Sequence, residues 1–544
     1  MSVKTVETTP YKNQQPGTAG LRATVKVYQQ PNYLENFVQS LFNALSGFEG
    51  QTLVLGGDGR YFSETAIPSI LKMAAANGFG RVLIGQNGLL STPNVSLAIR
   101  KYKAFGGIIL TASHNPGGPD GDFGVKYSMS NGSLATPVVT DAVYECTKVI
   151  DSYKTLDVPD PDVSQVGTFT LGDMTVEVID TVADYAELME TLFDFDAIRD
   201  LLASGEFTMR SDSMSGVNGP YAQKVLVEML GAPESSLVNN TPMPDFGGGH
   251  PDPNPTYAKE LVDFMNGPDG CDYGVAMDGD GDRAMHLGPN FYVSPSDCLA
   301  VLLANAHLVP GYQRDLLGVA RSMPTGSAVD LVAKKLGIPC YTTPTGWKYF
   351  GNLLDAGMIT LCGEESFGCG SDHVREKDAL WSVLFFLNIL AVRRESVEQI
   401  VRAHWTEFGR HYYARYDFEG VDKSAAVELM ERLRGMVGSL KGQTFGSYLI
   451  EEADDFHYTD PVDHSESPNQ GIRIMLEGGS RILYRLSGTG TVGATLRVYA
   501  EYYEEDPAKH DLLPQEALSG LFELICEIGE VRERIQRDGP DVIV

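Results

Sequence analysis

The segment Thr111-Ala-Ser113-His114-Asn115-Pro116 runs directly off the apolar stretch Gly107–Leu110. A serine on a short, proline-terminated turn at a strand's end is exposed and held still, as a nucleophilic hydroxyl requires, and loops after strands are where α/β enzymes carry reactive side chains. Downstream, Asp278-Gly-Asp280-Gly-Asp282-Arg283 alternates carboxylates with glycines. That spacing lets three oxygens converge on one hard cation, Mg²⁺ or Ca²⁺. An EF-hand needs glycine at its sixth position and glutamate at its twelfth; here these are Arg283 and Pro289, which argues against calcium sensing. A plain Asp/Gly turn has no use for three mutually repelling carboxylates.

A third segment, Arg485 to Arg497, brackets a loop of Gly, Ser and Thr. Its Gly488-Thr-Gly490-Thr-Val-Gly493 matches the dinucleotide pattern GxGxxG, but no βαβ unit surrounds it, and Arg497 stands where a ribose-binding acid is not expected. It reads better as an anion nest, with Ser487, Gly488 and Thr489 around a phosphate and Arg485 and Arg497 supplying charge. Gly363-Glu364-Glu365-Ser366-Phe367-Gly368 offers acceptors and donors suited to sugar hydroxyls, chiefly Glu364 and Ser366. His373, Arg375 and Lys377 follow as candidate phosphate ligands or proton carriers, although a solvated charged loop would look the same. A hydrolase built on Ser113 and His114 is disfavoured, because neighbours on a loop rarely point together and no GxSxG elbow is present. Nucleophile, metal site and anion cradle together suggest phosphoryl transfer.

These loops need a scaffold. The chain has 544 residues, enough for three to four domains. Seven cysteines without a CxxC pair fit reduced thiols in a cytoplasm, with no disulfide framework and no zinc knuckle. The polar N-terminus lacks the apolar core of a signal peptide, and the longest apolar stretch, Ala379 to Val392, reads as a buried helix too short to span a bilayer. The net charge of −30 repels nucleic acid and anionic membranes, so a phosphorylated ligand requires the few cations to be gathered in one cleft.

Periodicity predicts strands at Thr52–Leu55, Arg81–Ile84 and Gly107–Leu110, separated by helices from Ser63 to Asn77 and from Thr92-Pro93 to Tyr102, with the Thr92 hydroxyl as cap. That order implies a largely parallel sheet. Further strand–helix units follow, including a strand at Tyr273–Met277 and another at Met358–Leu361. The segment Asp157–Asp162 reads as an exposed excursion. From about Glu407 the character changes to aromatic-rich strands and a helix over Ser424–Met436, a separate α+β domain.

The ordered motifs TASHNPGG (111–118), DGDGDR (278–283), GEESFG (363–368) and RLSGTGTVGATLRVY (485–499) resemble the α-D-phosphohexomutase superfamily, and within it the phosphoglucomutase branch. GTAGLR (17–22), DFGVKY (122–127), PTGWKYFGN (344–352) and GSDHVREKD (370–378) extend the likeness over nearly the whole chain, with Ala19 in place of a serine often seen there. The resemblance implies an α/β fold of four domains around a central cleft: residues 1–183, 184–295 and 296–408 as related α/β units with mixed sheets, and 409–544 as an α+β domain. It implies that Ser113 carries a phosphoryl group and that Mg²⁺ is bound by Asp278, Asp280, Asp282 and a phosphoserine oxygen. Arg22, Lys126 and Arg283 would surround the reacting phosphate, while Arg485, Ser487, Gly488, Thr489 and Arg497 hold the distal one. Thr345, Gly346, Glu364 and Ser366 would face the sugar, beside His373 and Arg375. Lys377 is the first candidate for general base and His114 the second, and a lysine base needs its pKa lowered by its neighbours. The implied reaction interconverts glucose 1-phosphate and glucose 6-phosphate through glucose 1,6-bisphosphate, in a cytoplasmic monomer or weak homodimer with no nucleic-acid or membrane partner. A mutase for another phosphosugar and a parafusin-like, non-catalytic secretion or signalling protein are the alternatives.

Overall fold

The computed structural model describes residues 2–17, 20–487 and 494–544. Ala19, Gly488 and Thr489 therefore lie outside the described residues. Four main sheets follow one another along the chain, three in α/β units and one antiparallel sheet in the C-terminal α+β unit.

In the first unit the strand order is Leu21–Thr24, Asp122–Met129, Gly106–Leu110, Thr52–Gly57, Arg81–Leu89, Met174–Ile179, Gly167–Leu171. The four central strands are parallel, as βαβ crossovers require, but both edges are antiparallel. The sheet is therefore mixed and not largely parallel. Asp122–Met129 and Gly167–Leu171 pair antiparallel with the strand next to them in the chain, and Leu21–Thr24 pairs across about a hundred residues; helix–strand alternation registers neither.

The same arrangement recurs at all three catalytic-type loops. Gly106–Leu110 pairs in parallel with Thr52–Gly57 and antiparallel with Asp122–Met129, and the Ser113 turn joins the antiparallel pair. Tyr273–Met277 pairs in parallel with Met209–Asp212 and antiparallel with Ala284–Gly288 across the aspartate loop. Leu361–Gly363 pairs in parallel with Val319–Ser322 and antiparallel with Cys369–Ser371 across the GEESFG loop. Each loop thus leaves the carboxyl end of a strand where the strand direction switches, the place where open α/β sheets bind ligands. The third of these strands starts at Leu361, later than Met358, because Met358 closes a turn by donating its N–H to the Leu353 carbonyl.

The helix Ala379–Arg393 is buried along almost every residue, which accounts for its apolar character on all sides. It carries Trp381, Phe385 and Phe386 into one continuous hydrophobic core that also takes Tyr185 and Ile198 of the second unit and Val319 and Val332 of the third. The first unit has its own core around Phe37, Ile70 and Phe123, and the C-terminal unit has its own around Leu433, Ile474 and Leu521.

The helix Thr92–Lys101 is capped by Ser91, whose side chain accepts from the Asn94 N–H. The Thr92 hydroxyl instead donates to Asp280 Oδ2 at 2.9 Å. A Ser-Thr-Pro sequence offers two capping hydroxyls, and the second is drawn away by the carboxylate.

Close backbone approach fixes Gly57, where an added Cβ would stand 2.1 Å from the Leu110 carbonyl oxygen. Gly57→Ala is expected to cost about 3 kcal/mol through forced strand separation, read as a lowered melting temperature; an unchanged value would show that the strands part freely.

Candidate active site

Ser113 sits at the floor of a cleft of about 600 Å³ lined by all four units, including Arg22, Arg283, Lys377 and Arg497. It is held still, as the sequence suggests, but it is buried and not surface-exposed, with 2% of its area accessible. Its backbone is left-handed, φ +56°, a conformation that costs a non-glycine residue about 1–2 kcal/mol and concentrates at functional sites. This reversal brings the neighbouring side chains together: Ser113 Oγ lies 3.4 Å from His114 Nδ1. Burial, then the charges of Arg283 and Arg22, hold the His114 imidazole well below its ordinary pKa, so it is neutral at pH 7.

Asp278, Asp280 and Asp282 are buried, and one carboxylate oxygen from each falls within 4.8 Å of the others. Asp278 Oδ2, Asp280 Oδ1 and Asp282 Oδ1 receive no hydrogen bond. Three buried, unsatisfied carboxylate oxygens facing one point are the donor set of a divalent-cation site. Two of the remaining oxygens are tied down: Asp278 Oδ1 accepts from the N–H groups of Asp282 and Arg283, and Asp280 Oδ2 accepts from Lys126 Nζ at 2.9 Å. Burial and then its two carboxylate neighbours push the Asp278 carboxyl well up. At Asp280 burial acts in the same direction, but the Lys126 charge and the hydrogen bonds from Lys126 and Thr92 outweigh it and hold the carboxyl below its usual range. Arg283 lies 3.6 Å from both Asp252 and Asp282.

On the opposite wall Glu364 accepts from the Gly346 N–H at 2.9 Å, while Thr345 and Ser366 line the cleft beside it. The loop is anchored by Phe367, which packs among Ala276, Met285 and Leu287 and accepts the Ala284 N–H. Lys377 Nζ stands between Glu364 Oε2, 3.5 Å away, and Asp282 Oδ1, 3.6 Å away. Burial alone would lower its pKa, yet Asp282, Glu364 and Asp278 outweigh both burial and Arg283, so the ammonium is favoured. That direction is opposite to the one a lysine base needs.

Two expected cleft residues belong elsewhere. His373 is stacked on Trp381 and hydrogen-bonded to Ser371 and Asp378, and Arg375 is bound to Asp355 and to the Asp372 and Val374 carbonyls. Neither lines the cleft; both brace the chain that carries Lys377. Residues 372–376 form turns and bends, so 373, 375 and 377 do not share one face as they would in a strand. At the distal end Arg497 lines the cleft, whereas Arg485 and Ser487 do not. Arg485 approaches Tyr499 and Glu365, on the strand that leads to residue 488.

The sequence reading passed over several cleft residues: His250, Asp252, Tyr257, Glu376, Arg415 and Asp417. Glu376 carried a weak signal, as an acid between two bases in VREKD; the others stand in no motif. Its carboxyl is buried with Oε1 unpaired, and burial, moderated by Lys126 and reinforced by Asp282, raises its pKa to about 8. The folded state therefore favours the protonated form, and stability falls as pH rises from the unfolded value near 4.5 through about 8. Glu376→Gln, which mimics the neutral carboxyl, is expected to lack this loss and to gain on the order of a few kcal/mol over the native chain at pH 8.5 relative to pH 5. Melting temperatures in metal-free buffer across that range check it; parallel curves would place the charge elsewhere.

Residues 13–154, 183–290 and 295–408 match the α/β/α domains I, II and III of the phosphoglucomutase/phosphomannomutase family, and residues 410–541 match the phosphoglucomutase-1 C-terminal domain. The chain is 58% identical to a phosphoglucomutase of Rhizobium radiobacter, over 99% of this chain and 100% of the relative. It is 51% identical to a cytoplasmic phosphoglucomutase of Populus tremula, over 100% of this chain and 99% of the relative. Among solved structures it is similar to the open form of pp63/parafusin, an exocytosis-sensitive phosphoprotein and phosphoglucomutase from Paramecium, with a TM-score of 0.92, 46% identity and coverage of 100% of this chain and 99% of that one. Matched along its whole length by these domains and relatives, the chain belongs to the phosphoglucomutase family.

Proposed function

We propose that this phosphoglucomutase works by passing a phosphoryl group between Ser113 and the sugar, with Mg²⁺ held by Asp278, Asp280 and Asp282. The observation that carries the reading is that a left-handed, buried serine lines one cleft with Arg22, Lys126 and Arg283 and with Asp282 of a loop that holds three unsatisfied carboxylate oxygens. When bound, the cation neutralises charge on the transferring phosphoryl group. The chain's residues do the rest. Arg22, Lys126 and Arg283 surround the reacting phosphate. Glu364 and Ser366, with Thr345 and Gly346 beside them, grip the sugar hydroxyls, and Arg497 holds the second phosphate. Transfer from phosphoserine to glucose 1-phosphate gives glucose 1,6-bisphosphate. Return of the other phosphate leaves glucose 6-phosphate, so the intermediate must present both ends in turn. Neutral His114 is placed to hold a proton at Ser113 Oγ, and Lys377 to move one at the sugar hydroxyl. With a cation held by the aspartates, the support that Asp282 and Asp278 give the Lys377 ammonium would fall. The four units fall at 1–183, 184–295, 296–408 and 409–544 on this reading, in a cytoplasmic monomer or weak dimer.

In a coupled assay with glucose 1-phosphate, Mg²⁺ and a trace of glucose 1,6-bisphosphate, glucose 6-phosphate is expected to form rapidly and to stop forming on addition of chelator. Turnover that ignores the chelator would remove the metal from the mechanism, and no product from either glucose 1-phosphate or mannose 1-phosphate would favour a non-catalytic, parafusin-like role.

A further inference from the structure

The Ser113 backbone is held from both sides by one buried ion pair. Asp58 and Arg60 have no exposed side-chain area, and Arg60 Nε binds both Asp58 oxygens at 2.9 and 3.1 Å. The remaining guanidinium nitrogens all serve the serine loop: Nη2 donates to the Ser113 carbonyl at 2.5 Å, and Nη1 to the Asp122 carbonyl at 2.9 Å and the Asn115 carbonyl at 3.4 Å. On the other side Asp58 Oδ2 accepts from the Thr111 hydroxyl at 2.5 Å, and that hydroxyl accepts the Ser113 N–H at 2.7 Å. Both polar backbone groups of the nucleophile therefore trace back to the same carboxylate–guanidinium pair.

We propose that Asp58, Arg60 and Thr111 form a positioning circuit that imposes the left-handed backbone of Ser113 and so aims its hydroxyl at the reacting phosphorus. An ion pair serving only stability has no need to place its donors on the Ser113 and Asn115 carbonyls and on the strand that follows their turn. The circuit is also closed from outside: Arg60 lies over the Phe246 ring of the second unit, 5.1 Å from its centroid, and the Pro244 carbonyl accepts from Tyr61 and Gly118. The planar fork of Arg60 spans these acceptors in a way that a lysine ammonium does not. Releasing either end lets the turn relax toward ordinary backbone angles and moves Oγ off line, and a misplacement of about 1 Å costs roughly 100-fold in rate.

This inference rests on Ser113 being the phosphoryl carrier, and the experiment separates the two. Dephosphorylated full-length enzyme with Mg²⁺ is mixed with glucose 1,6-bisphosphate carrying labelled phosphate. The single-turnover rate of label transfer to protein is followed, with the dissociation constant for glucose 6-phosphate and the melting temperature alongside. Thr111→Val, nearly isosteric but unable to accept the Ser113 N–H, is expected to slow transfer about tenfold or more while binding stays within about twofold; Thr111→Ser restores the rate. Arg60→Lys is expected to lose about 100-fold. If Arg60→Lys fails to fold, Thr111→Val decides alone. A folded Thr111→Val enzyme that transfers at the native rate, or that loses binding as much as transfer, overturns the positioning circuit. Labelling that persists in Ser113→Ala overturns the carrier assignment itself, whatever Thr111 does.

Discussion

Ser113→Ala is expected to lower turnover by roughly 10⁴-fold or more while glucose 6-phosphate still binds within a few-fold of the native affinity. The asymmetry follows from the geometry. The variant removes the hydroxyl proposed to carry the phosphoryl group, whereas the cations and the Glu364 wall that hold the sugar phosphate remain in place around the cleft. Alanine also disturbs the fold little, since the hydrogen bond of the Ser113 hydroxyl to His114 Nδ1 is a long 3.4 Å. Steady-state rates with added glucose 1,6-bisphosphate, together with calorimetric binding, make the comparison. Substantial mutase activity in the variant would sink the phosphoserine mechanism.

Asp280→Asn is expected to act just as strongly through the metal. Asp280 is the aspartate whose negative charge the protein defends, by Lys126 on one oxygen and Thr92 on the same one, leaving Oδ1 free to ligate. Asparagine keeps the shape and removes the charge. The Mg²⁺ concentration for half-maximal rate should rise about 10- to 100-fold, and the increase in melting temperature on adding Mg²⁺ should shrink with it. Because Asp278 is pushed toward its protonated form without a cation, the native enzyme's Mg²⁺ affinity should weaken as pH falls. An unchanged metal requirement in Asp280→Asn would place the ion elsewhere.

The chemistry of this chain was legible because three of its loops are compact in sequence. Asp278, Asp280 and Asp282 meet within a five-residue turn, so their convergence needs no tertiary information. The same holds for the strands before them, whose continuous apolar runs mark buried sheet positions. What escaped was whatever depends on pairing across long separations. Leu21–Thr24 and Asp122–Met129 join the first sheet antiparallel, and no local pattern announces it. His250, Arg415 and Asp417 reach the cleft from other units and resemble ordinary surface residues in the sequence. His373 and Arg375 erred in the opposite direction: adjacency to Lys377 suggested a shared task, but the turns over 372–376 deliver them to Trp381, Asp378 and Asp355 behind the wall. Gln223–Met229 follows the short helix Asn218–Ala222 as a wider π-turn, a distinction that helical periodicity over ten residues does not resolve.

The core shared by the second and third units has a consequence for synthesis on the ribosome. The first unit can close its sheet once Ile179 has emerged, and the C-terminal unit carries its own core. Tyr185 and Ile198, by contrast, pack into a core completed by the helix Ala379–Arg393, which is made roughly 200 residues later. At typical elongation rates the apolar face of the second unit waits about ten to forty seconds for its cover. The middle of this chain is therefore expected to keep apolar surface exposed longest during synthesis, and a nascent chain stalled before residue 379 is the species that should aggregate.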